Sequence, residues 1–382
     1  MACLAGLGIS CAQGLKENEF RIKGTLEGLN ENHIITMRYE ENGTNVMDTI
    51  PHQNGNFDIV RTIASNTPVY ASVMIRDVTF RPRGNGMVMM KKMALVFFIS
   101  PQATINIKGE VKNAALATVS GGLYNDDLAA LDAKLYDLQL QISELQDVFN
   151  EAMWNNDDAA QTTLRAKREE LSGKVRRIEE QFIHDNPNSH YAAFLYLQKA
   201  RGATKSVEEL EADYARFGEQ IRNSEYGQSI AELIQGAKGA ALGNVAPDFT
   251  QIDRDGKTFS LKDYRGKYVL LDFWGSWCGP CRQSHPHLVE LYHKYKDKNF
   301  EILGLAANET GRDKWLAAIE EDGLTWRHVN LKENDDRQSI VRLYNVKGFP
   351  SKILIDPQGV IIVHALGGSE EVDVTLKEIF GK

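Results

Sequence analysis

The chain has 382 residues and a formal net charge of −8, from 44 basic and 52 acidic side chains. At about 150 residues per domain, this length suggests two or three domains, and 42% hydrophobic residues with 25% charged ones is typical of a soluble globular protein. The negative balance disfavours a nucleic-acid binder, which needs a basic surface. The longest apolar candidate, residues 87–99, is interrupted by Lys91 and Lys92, so it falls short of the ~20 residues of a membrane helix.

Residues 1–13, MACLAGLGISCAQ, are small and apolar. This composition is typical of the end of a secretory signal. Cleavage after Ala12 is one interpretation, and acylation of Cys11 as a lipoprotein cysteine is another. Gly8 stands where a lipoprotein signal usually has Leu, and no basic residue precedes the apolar run, so an unstructured N-terminus with two incidental cysteines is the alternative. We expect an exported protein of the periplasm or cell envelope, with Cys11 as a candidate site for a lipid anchor.

Residues 19–120 have the pattern of short strands. Phe20, Ile22 and Leu26 share one strand-like run, and β-branched or aromatic runs follow at 34–39, 46–51, 56–61, 69–75, 93–99 and 104–108. Asn54-Gly55 predicts a hairpin between 46–51 and 56–61, because a type I′ turn needs positive φ at both central residues. Short strands at regular spacing indicate an antiparallel sandwich or barrel, and we expect an all-β, sandwich-like domain. This region contains no catalytic motif.

Residues 124–238 have helical periodicity. Apolar residues recur at alternating spacings of three and four, which is an a/d seam: Leu128, Leu131, Leu135, Leu138, Ile142, Leu145 and Phe149. A second series at 164–182 follows a turn in which Asp157 or Asp158 is a candidate N-cap, so two antiparallel helices of about 25 residues are the simplest fit. A coiled-coil homodimer is the alternative. Residues 125–240 contain 13 basic and 21 acidic side chains, which equals the whole net charge.

Residues 236–244, GAKGAALGN, have the composition of a linker. From 239 to 382, strand-like runs alternate with helical ones, which predicts an α/β domain with a mixed central sheet. The expected protein is therefore multidomain. A sandwich-like domain is followed by a helical hairpin or bundle and then by an α/β domain.

The motif Trp277-Cys278-Gly279-Pro280-Cys281 follows an apolar strand at 268–274 and precedes a helix. A Cys-x-x-Cys pair in this context indicates a redox site. At a helix start, residues three apart lie on one face, so the two sulfurs can bond. The first cysteine meets the unpaired N–H groups and the helix dipole, which favour the thiolate. Cys281 lies one turn further in and stays protonated until needed, and Pro280 suits the first turn.

Residues 244–382 resemble the thioredoxin fold in its extracytoplasmic TlpA/ResA-like branch. The resemblance rests on WCGPC, on APDF at 246–249, on LKDYRGK at 261–267 and on VKGFP at 346–350. It implies that Pro350 is a cis-proline facing the disulfide and that the backbone of Phe349 is presented to a substrate chain. More loosely, the β-rich region followed by helices is similar to the uncharacterised N-terminal domain that precedes such modules in exported Gram-negative proteins.

The resemblance implies a thiol–disulfide oxidoreductase that reduces disulfides of exported proteins. Electrons would come from a membrane thiol donor, and no bound cofactor is required, because the dithiol is the redox group. The expected catalytic residues are Cys278, Cys281, Asp272 and Pro350, and the expected substrate-binding residues are Trp277, Gly279, Pro280, Gly348 and Phe349.

Two positions depart from the branch. Asp272, six residues before Cys278, stands where the branch often has Asn. A carboxyl buried there has a raised pKa and can accept the Cys281 proton, and a purely structural strand acid is the alternative. Ser284 stands where the branch often has Glu, so Asp272 would have to accept that proton alone.

Three other functions were weighed. A zinc site would combine both cysteines with His285 and His287, but residues two apart on a helix point to different faces. A peroxidase of the peroxiredoxin type needs Pro and Thr or Ser where Leu271 and Gly275 stand. A non-catalytic scaffold is the third possibility. Gly-Pro between the cysteines favours a reductase over an oxidase or isomerase, with a reduction potential below roughly −200 mV.

Overall fold

A computed structural model describes residues 14–41, 44–75, 80–83, 86–89, 94–202, 205–307, 309, 311–331 and 340–381. Residues 1–13, with Cys3 and Cys11, lie outside these ranges, so export and lipidation remain predictions. The chain divides into two compact units, Met1–Tyr196 and Leu197–Lys382. Within the described ranges, no helix combines the length and the apolar character that crossing a bilayer requires.

The N-terminal unit begins with a β-sandwich. Its described strands are β1 (Glu19–Glu27), β2 (Ile35–Glu41), β3 (Thr44–Ile50), β4 (Asn56–Thr62), β5 (Val69–Ile75), β6 (Phe80–Arg83), β7 (Gly86–Met89), β8 (Ala94–Ile99), β9 (Thr104–Glu110) and β10 (Thr118–Ser120). One sheet has the order β10-β9-β1-β4 and the other β3-β2-β5-β8, while β6 pairs with β7. Phe20 and Ile22 of the first sheet share one core with Met37 and Phe97 of the second, which confirms the sandwich. The pairing of β1 with β9 is parallel, so the expectation of an antiparallel domain was wrong for this pair.

The Asn54-Gly55 turn forms, but it does not join a hairpin. Both residues have positive φ, 48° and 84°, and Gln53 and Asn56 form an isolated antiparallel bridge around them. However, β3 pairs with β2 and β4 pairs with β1, in different sheets. Pro51 follows β3 directly and has no N–H to extend a ladder. The turn therefore redirects the chain from one sheet to the other.

Two long helices, α1 (Leu123–Trp154) and α2 (Asp158–Asp185), pack against each other as a hairpin within the chain, and α3 (His190–Gly202) follows them. They have 32 and 28 residues, longer than predicted. Leu128, Leu131 and Leu135 of the predicted seam are buried. The Asp157 carboxylate accepts the N–H of Ala160 at 2.9 Å, which confirms the N-cap. Of the two arrangements predicted, the structure has the hairpin.

The C-terminal unit is built on a mixed five-stranded sheet. The described strands of the whole unit are β11 (Thr250–Ile252), β12 (Thr258–Ser260), β13 (Tyr268–Trp274), β14 (Phe300–Ala306), β15 (Arg327–Asn330), β16 (Ser351–Ile355) and β17 (Ile361–Leu366). Its described helices are α4 (Val207–Arg216), α5 (Glu219–Arg222), α6 (Glu225–Gly239), α7 (Gly279–Tyr295), α8 (Arg312–Glu321), α9 (Ile340–Leu343) and α10 (Glu370–Phe380). The sheet has the order β15-β14-β13-β16-β17. Central β13 is parallel to β14 and antiparallel to β16, as expected for a mixed sheet.

The linker predicted at 236–244 is wrong in its first part. Helix α6 continues to Gly239, and Gly236 is buried against α9. A Cβ on Gly236 would lie 2.3 Å from the carbonyl oxygen of Arg342, so this glycine permits a close contact between helices rather than flexibility. Accordingly α4, α5 and α6 belong to the same compact unit as the sheet, and the domain boundary expected at 238/239 differs from the division after Tyr196.

Candidate active site

The dithiol lies where β13 ends and α7 begins. Cys278 is the N-cap residue of α7, and Cys281 lies in its first turn. Their sulfurs are bonded, with 5.3 Å between the Cα atoms, and Cys278 Sγ also accepts the N–H of Cys281 at 3.3 Å. Cys278 is 5% exposed and Cys281 is 0% exposed, while Gly279 and Pro280 beside them are exposed. An incoming sulfur therefore meets Cys278 first.

Two loops meet beside the disulfide. Trp277 is 50% exposed, and its indole N–H donates to the carbonyl of Ala307 at 3.1 Å. Its ring makes an edge contact with the ring of Phe349, with 5.7 Å between the two ring centroids. The peptide bond between Phe349 and Pro350 is cis, and Gly348 precedes it at a half-buried position. The structure thus brings the 346–350 loop against the residue that precedes Cys278.

Asp272 lies inside β13 and is fully buried. Neither carboxyl oxygen has a hydrogen-bond partner among the described residues. The nearest basic side chains are His285, whose Nε2 atom lies 3.8 Å from Oδ2, and Lys352, whose Nζ atom lies 3.9 Å from Oδ1. Burial raises the pKa of Asp272, and the charges of Lys352 and His285 oppose only part of this effect. Asp272 can therefore hold a proton at a pH where an exposed aspartate cannot.

Ser284, the position where the branch often has Glu, joins the dithiol helix to Lys352. Its hydroxyl donates to the carbonyl of Cys281 at 2.8 Å, and the fully buried Lys352 donates to the same hydroxyl at 3.5 Å. The lysine ammonium thus lies between Ser284 and Asp272. Local patterns do not connect Lys352 with the site, because this lysine lies on another strand, two residues after the cis-proline.

His285 continues the buried face of α7 from Cys281, four residues earlier. It is 0% exposed, and its Nδ1 atom lies 2.6 Å from Oδ2 of Asp322. Asp322 also accepts two hydrogen bonds from the Arg282 guanidinium, at 2.8 and 2.6 Å. Burial acts to raise the pKa of Asp322, but the hydrogen bonds from Arg282 and His285 outweigh it and lower that pKa below its usual value.

Glu309 was also missed at the sequence level. It is 2% exposed and accepts both the backbone N–H and the hydroxyl of Ser276, each at 2.6 Å. It follows β14, so it comes from the carboxyl end of the strand parallel to β13. An acid at the end of a neighbouring parallel strand is the signal that could have indicated it, because these strand ends gather at one edge of the sheet.

Comparison with known proteins identifies the family. Residues 242–364 match the model of the AhpC/TSA family, and residues 20–128 match a domain of unknown function, DUF4369. The thiol-disulfide oxidoreductase ResA of Bacillus anthracis is 38% identical over 143 residues, which cover 36% of this chain and 78% of that protein. The ResA of Geobacillus kaustophilus is 37% identical over 141 residues, with the same two coverages. The chain belongs to the ResA-like thiol-disulfide oxidoreductases.

Among solved structures, the thioredoxin domain of a thiol-disulfide oxidoreductase from Bacteroides vulgatus is 40% identical. The matched region covers 36% of this chain and 98% of the Bacteroides vulgatus chain, with a TM-score of 0.34. Membership in the ResA-like family confirms the expected thioredoxin fold and the enzyme class. The DUF4369 match confirms the expected N-terminal β-rich domain of unknown function. Substrates of a ResA-like enzyme contain disulfides.

The geometry does not favour the rival sites in this ResA-like protein. The His287 side chain is 41% exposed and bonds Asp373 at 2.8 Å, whereas His285 is fully buried, so the two histidines face different partners, as predicted. At Gly275, where a peroxidase motif has Thr or Ser, a Cβ would lie 2.6 Å from the Trp277 indole nitrogen. A hydroxyl side chain therefore has no room there while Trp277 keeps this position.

Proposed function

We propose that this ResA-like protein reduces disulfide bonds of exported proteins, with Cys278 as the nucleophile. The placement of Cys278 supports this most directly. It lies at the N-terminus of α7 with an exposed edge, and it is bonded to the buried Cys281. The free N–H groups and the dipole of the helix stabilise a thiolate at this position.

The exchange has two steps. The Cys278 thiolate attacks a substrate disulfide, forms a mixed disulfide and releases the other substrate sulfur as a thiolate. The Cys281 thiolate then attacks Cys278 Sγ, which releases the second substrate sulfur and leaves Cys278 bonded to Cys281. Two electrons pass from the dithiol to the substrate, and a membrane thiol donor returns them. No bound cofactor takes part.

Asp272 is the proposed acceptor of the Cys281 proton, directly or through one water. Its raised pKa suits this role, because a general base works best when its pKa lies near the working pH. Burial without a hydrogen-bond partner also argues against a purely structural acid, since a structural carboxylate would accept backbone N–H groups.

The proposed substrate surface surrounds the exposed edge of Cys278. The perpendicular aromatic pair of Trp277 and Phe349 gives apolar contact, and the backbone next to the cis bond can pair with an extended substrate segment. The residues concerned are Trp277, Gly279, Pro280, Gly348, Phe349 and Pro350.

The protein is proposed to work in the periplasm or cell envelope. Residues 1–13 provide the reason, with cleavage after Ala12 or acylation of Cys11 as the two routes. A fatty-acid label that appears on the wild type and disappears in Cys11→Ser would establish the anchor. A fully processed, unlabelled exported protein would establish cleavage, and a protein found only in the cytoplasm would contradict export.

Insulin reduction tests the activity. With dithiothreitol as the electron source, the wild type should accelerate the turbidity that marks separated insulin chains, and Cys278→Ser should not. Equal rates for the two proteins would favour a non-catalytic scaffold. A reduction potential below roughly −200 mV would support the reducing direction, whereas one near about −120 mV would indicate an oxidase.

A further inference from the structure

We propose that His285 is a positioning residue that moves the Cys281 proton from Asp272 towards Asp322 at the protein surface. The proposal rests on the proposed function, because it supplies an exit for the proton released in the second exchange step. A buried carboxyl that has accepted this proton either returns it to Cys281 when the disulfide is reduced again or releases it to solvent, and release requires a route out of the core.

The three side chains form a line from the core to the surface. Asp272 and His285 are both fully buried, whereas the Asp322 side chain is 12% exposed. The Nε2 atom of His285 lies 3.8 Å from Asp272, and its Nδ1 atom lies 2.6 Å from Asp322. Within the described part of the chain, Nε2 and both Asp272 oxygens have no hydrogen-bond partner. Buried polar atoms left in this way are costly, which points to a use in the reaction.

Hydrogen-bond chemistry fixes the orientation of the imidazole. The Asp322 carboxylate only accepts, so Nδ1 is the nitrogen that donates to it. In the neutral ring, the Nε2 lone pair is then aimed at Asp272 and can accept a proton from its carboxylic acid. The two groups need to approach by about 1 Å or to share one water for this transfer. The resulting imidazolium is stabilised by the carboxylate of Asp322.

Among the described residues, the titratable groups around the imidazole are Asp272 of β13, Asp322 after α8 and His328 of β15, with Lys352 of β16 beside Asp272 and Arg282 of α7 beside Asp322. Burial lowers the pKa of His328 well below its usual value, with smaller effects of Arg254 and His285 in the same direction, so His328 stays neutral. Lys352 also approaches Asp272, but it is 0% exposed, and its one hydroxyl contact leads back to the dithiol helix. Among the described residues, Ser284 and Asp322 are both half-buried, but the Lys352 contact with Ser284 is long, at 3.5 Å, whereas His285 bonds Asp322 at 2.6 Å, so the path through His285 has the closer contact with the surface.

In the second step, each proton has a defined donor and acceptor. The S–H bond of Cys281 breaks, its proton goes to an oxygen of Asp272, and its electron pair forms the bond to Cys278 Sγ as the substrate thiolate leaves. In the same step Asp272 passes the proton on to Nε2 of His285, so loss of this acceptor slows the closing of the disulfide. The proton on Nδ1 moves through Asp322 to solvent, which leaves the Asp272 carboxylate and a neutral ring protonated at Nε2. When the disulfide is reduced again, Cys281 takes up a proton by the same path in reverse, and this returns the proton to Nδ1.

The two steps can be observed separately with Ellman's reagent, an aromatic disulfide whose thiolate product is coloured. One equivalent mixed with reduced protein in a stopped-flow instrument releases one thiolate when Cys278 attacks and a second when Cys281 resolves the mixed disulfide. His285→Gln should keep the first phase and slow the second about tenfold at neutral pH, a modest share of typical acid–base catalysis. The difference should shrink at alkaline pH, where Cys281 ionises unaided.

Control variants separate loss of the proton relay, the path from Asp272 through His285 to Asp322, from loss of activity and from misfolding. His287→Gln, on the exposed face of the same helix, should leave both phases unchanged, and Asp322→Asn should slow the second phase with an intact first phase. A wild-type second phase in His285→Gln, or a loss that is equal at every pH, would overturn the relay. If His285→Gln does not fold, a wild-type second phase in Asp322→Asn overturns it instead. Absence of the first phase in the wild type would count against the proposed function itself.

Discussion

The contact between Glu309 and Ser276 makes a quantitative prediction about the loop before Cys278. The buried Glu309 carboxylate accepts two hydrogen bonds from Ser276, both at 2.6 Å. A hydrogen bond to a charged group contributes about 1.5–3 kcal/mol and a neutral one about 0.5–1.5 kcal/mol. In Glu309→Gln both contacts persist as neutral bonds, with the amide oxygen on the N–H and the amide N–H donating to the hydroxyl. The expected loss is about 1 kcal/mol per bond, about 2 kcal/mol in total.

Two further substitutions set the scale. Glu309→Ala removes both bonds, and because Ser276 is half-buried water replaces part of the loss, so we expect about 3 kcal/mol. Ser276→Ala removes only the hydroxyl bond and should cost about 2 kcal/mol. Combined with Glu309→Gln, its effect should fall short of the sum, because the two residues share that bond.

Guanidinium unfolding of the oxidised protein, followed by tryptophan fluorescence, measures these losses. Of the five tryptophans, all except Trp154 lie in the C-terminal unit, so the signal reports mainly on the unit that contains the site. If Glu309→Gln has the same guanidinium midpoint as the wild type, the charge of Glu309 does not stabilise the loop through Ser276. If the stability losses of Glu309→Gln and Ser276→Ala add fully in the double variant, the two residues act independently.

Three further predictions concern stability. Burial raises the folded-state pKa of Asp272 above 3.8, so the folded chain binds this proton more tightly than the unfolded chain and loses stability as pH rises from 3.8 through the folded pKa. Oxidised Asp272→Asn should therefore be the more stable protein at neutral pH, with the advantage vanishing in acid, as measured by denaturant unfolding at several pH values. Gly236→Ala places a methyl 2.3 Å from the Arg342 carbonyl and should cost about 1–3 kcal/mol in thermal unfolding. Asp157→Ala removes the cap of α2 and should cost about 1 kcal/mol, with lower helicity by circular dichroism.

Each of these three has a clear contrary outcome. A stability advantage of Asp272→Asn that persists unchanged in acid would mean that ionisation of the carboxyl is not its source. An unchanged thermal unfolding temperature in Gly236→Ala would restore the interpretation of this segment as a flexible linker. For the cap, Asp158→Ala is the matched control, and an equal loss in both variants would show that neither side chain acts as a specific cap.

Local sequence features predicted where the dithiol lies and that its two sulfurs can bond. The spacing of Cys278 and Cys281, the strand before them and the proline in the first turn are all set within about a dozen residues. Asp272 could be placed because it lies in that strand at a fixed distance from the dithiol.

Long-range partners could not be predicted in this way. His285 was considered only as a metal ligand, since its partner Asp322 lies 37 residues away and no pattern links the two. For Asn54-Gly55, the turn conformation was predicted correctly, but which sheet each flanking strand joins depends on distant pairings. Gly236 could not be interpreted correctly from composition, because small residues are common both at close helix contacts and in flexible linkers.

The most direct test of the account is to identify which cysteine holds the substrate. Reduced Cys281→Ser mixed with insulin should form a stable mixed disulfide, and mass spectrometry of the peptides should place the insulin chain on Cys278. Reduced Cys278→Ser should hold none. Insulin found on Cys281 of Cys278→Ser, with nothing trapped by Cys281→Ser, would contradict the assigned order of attack.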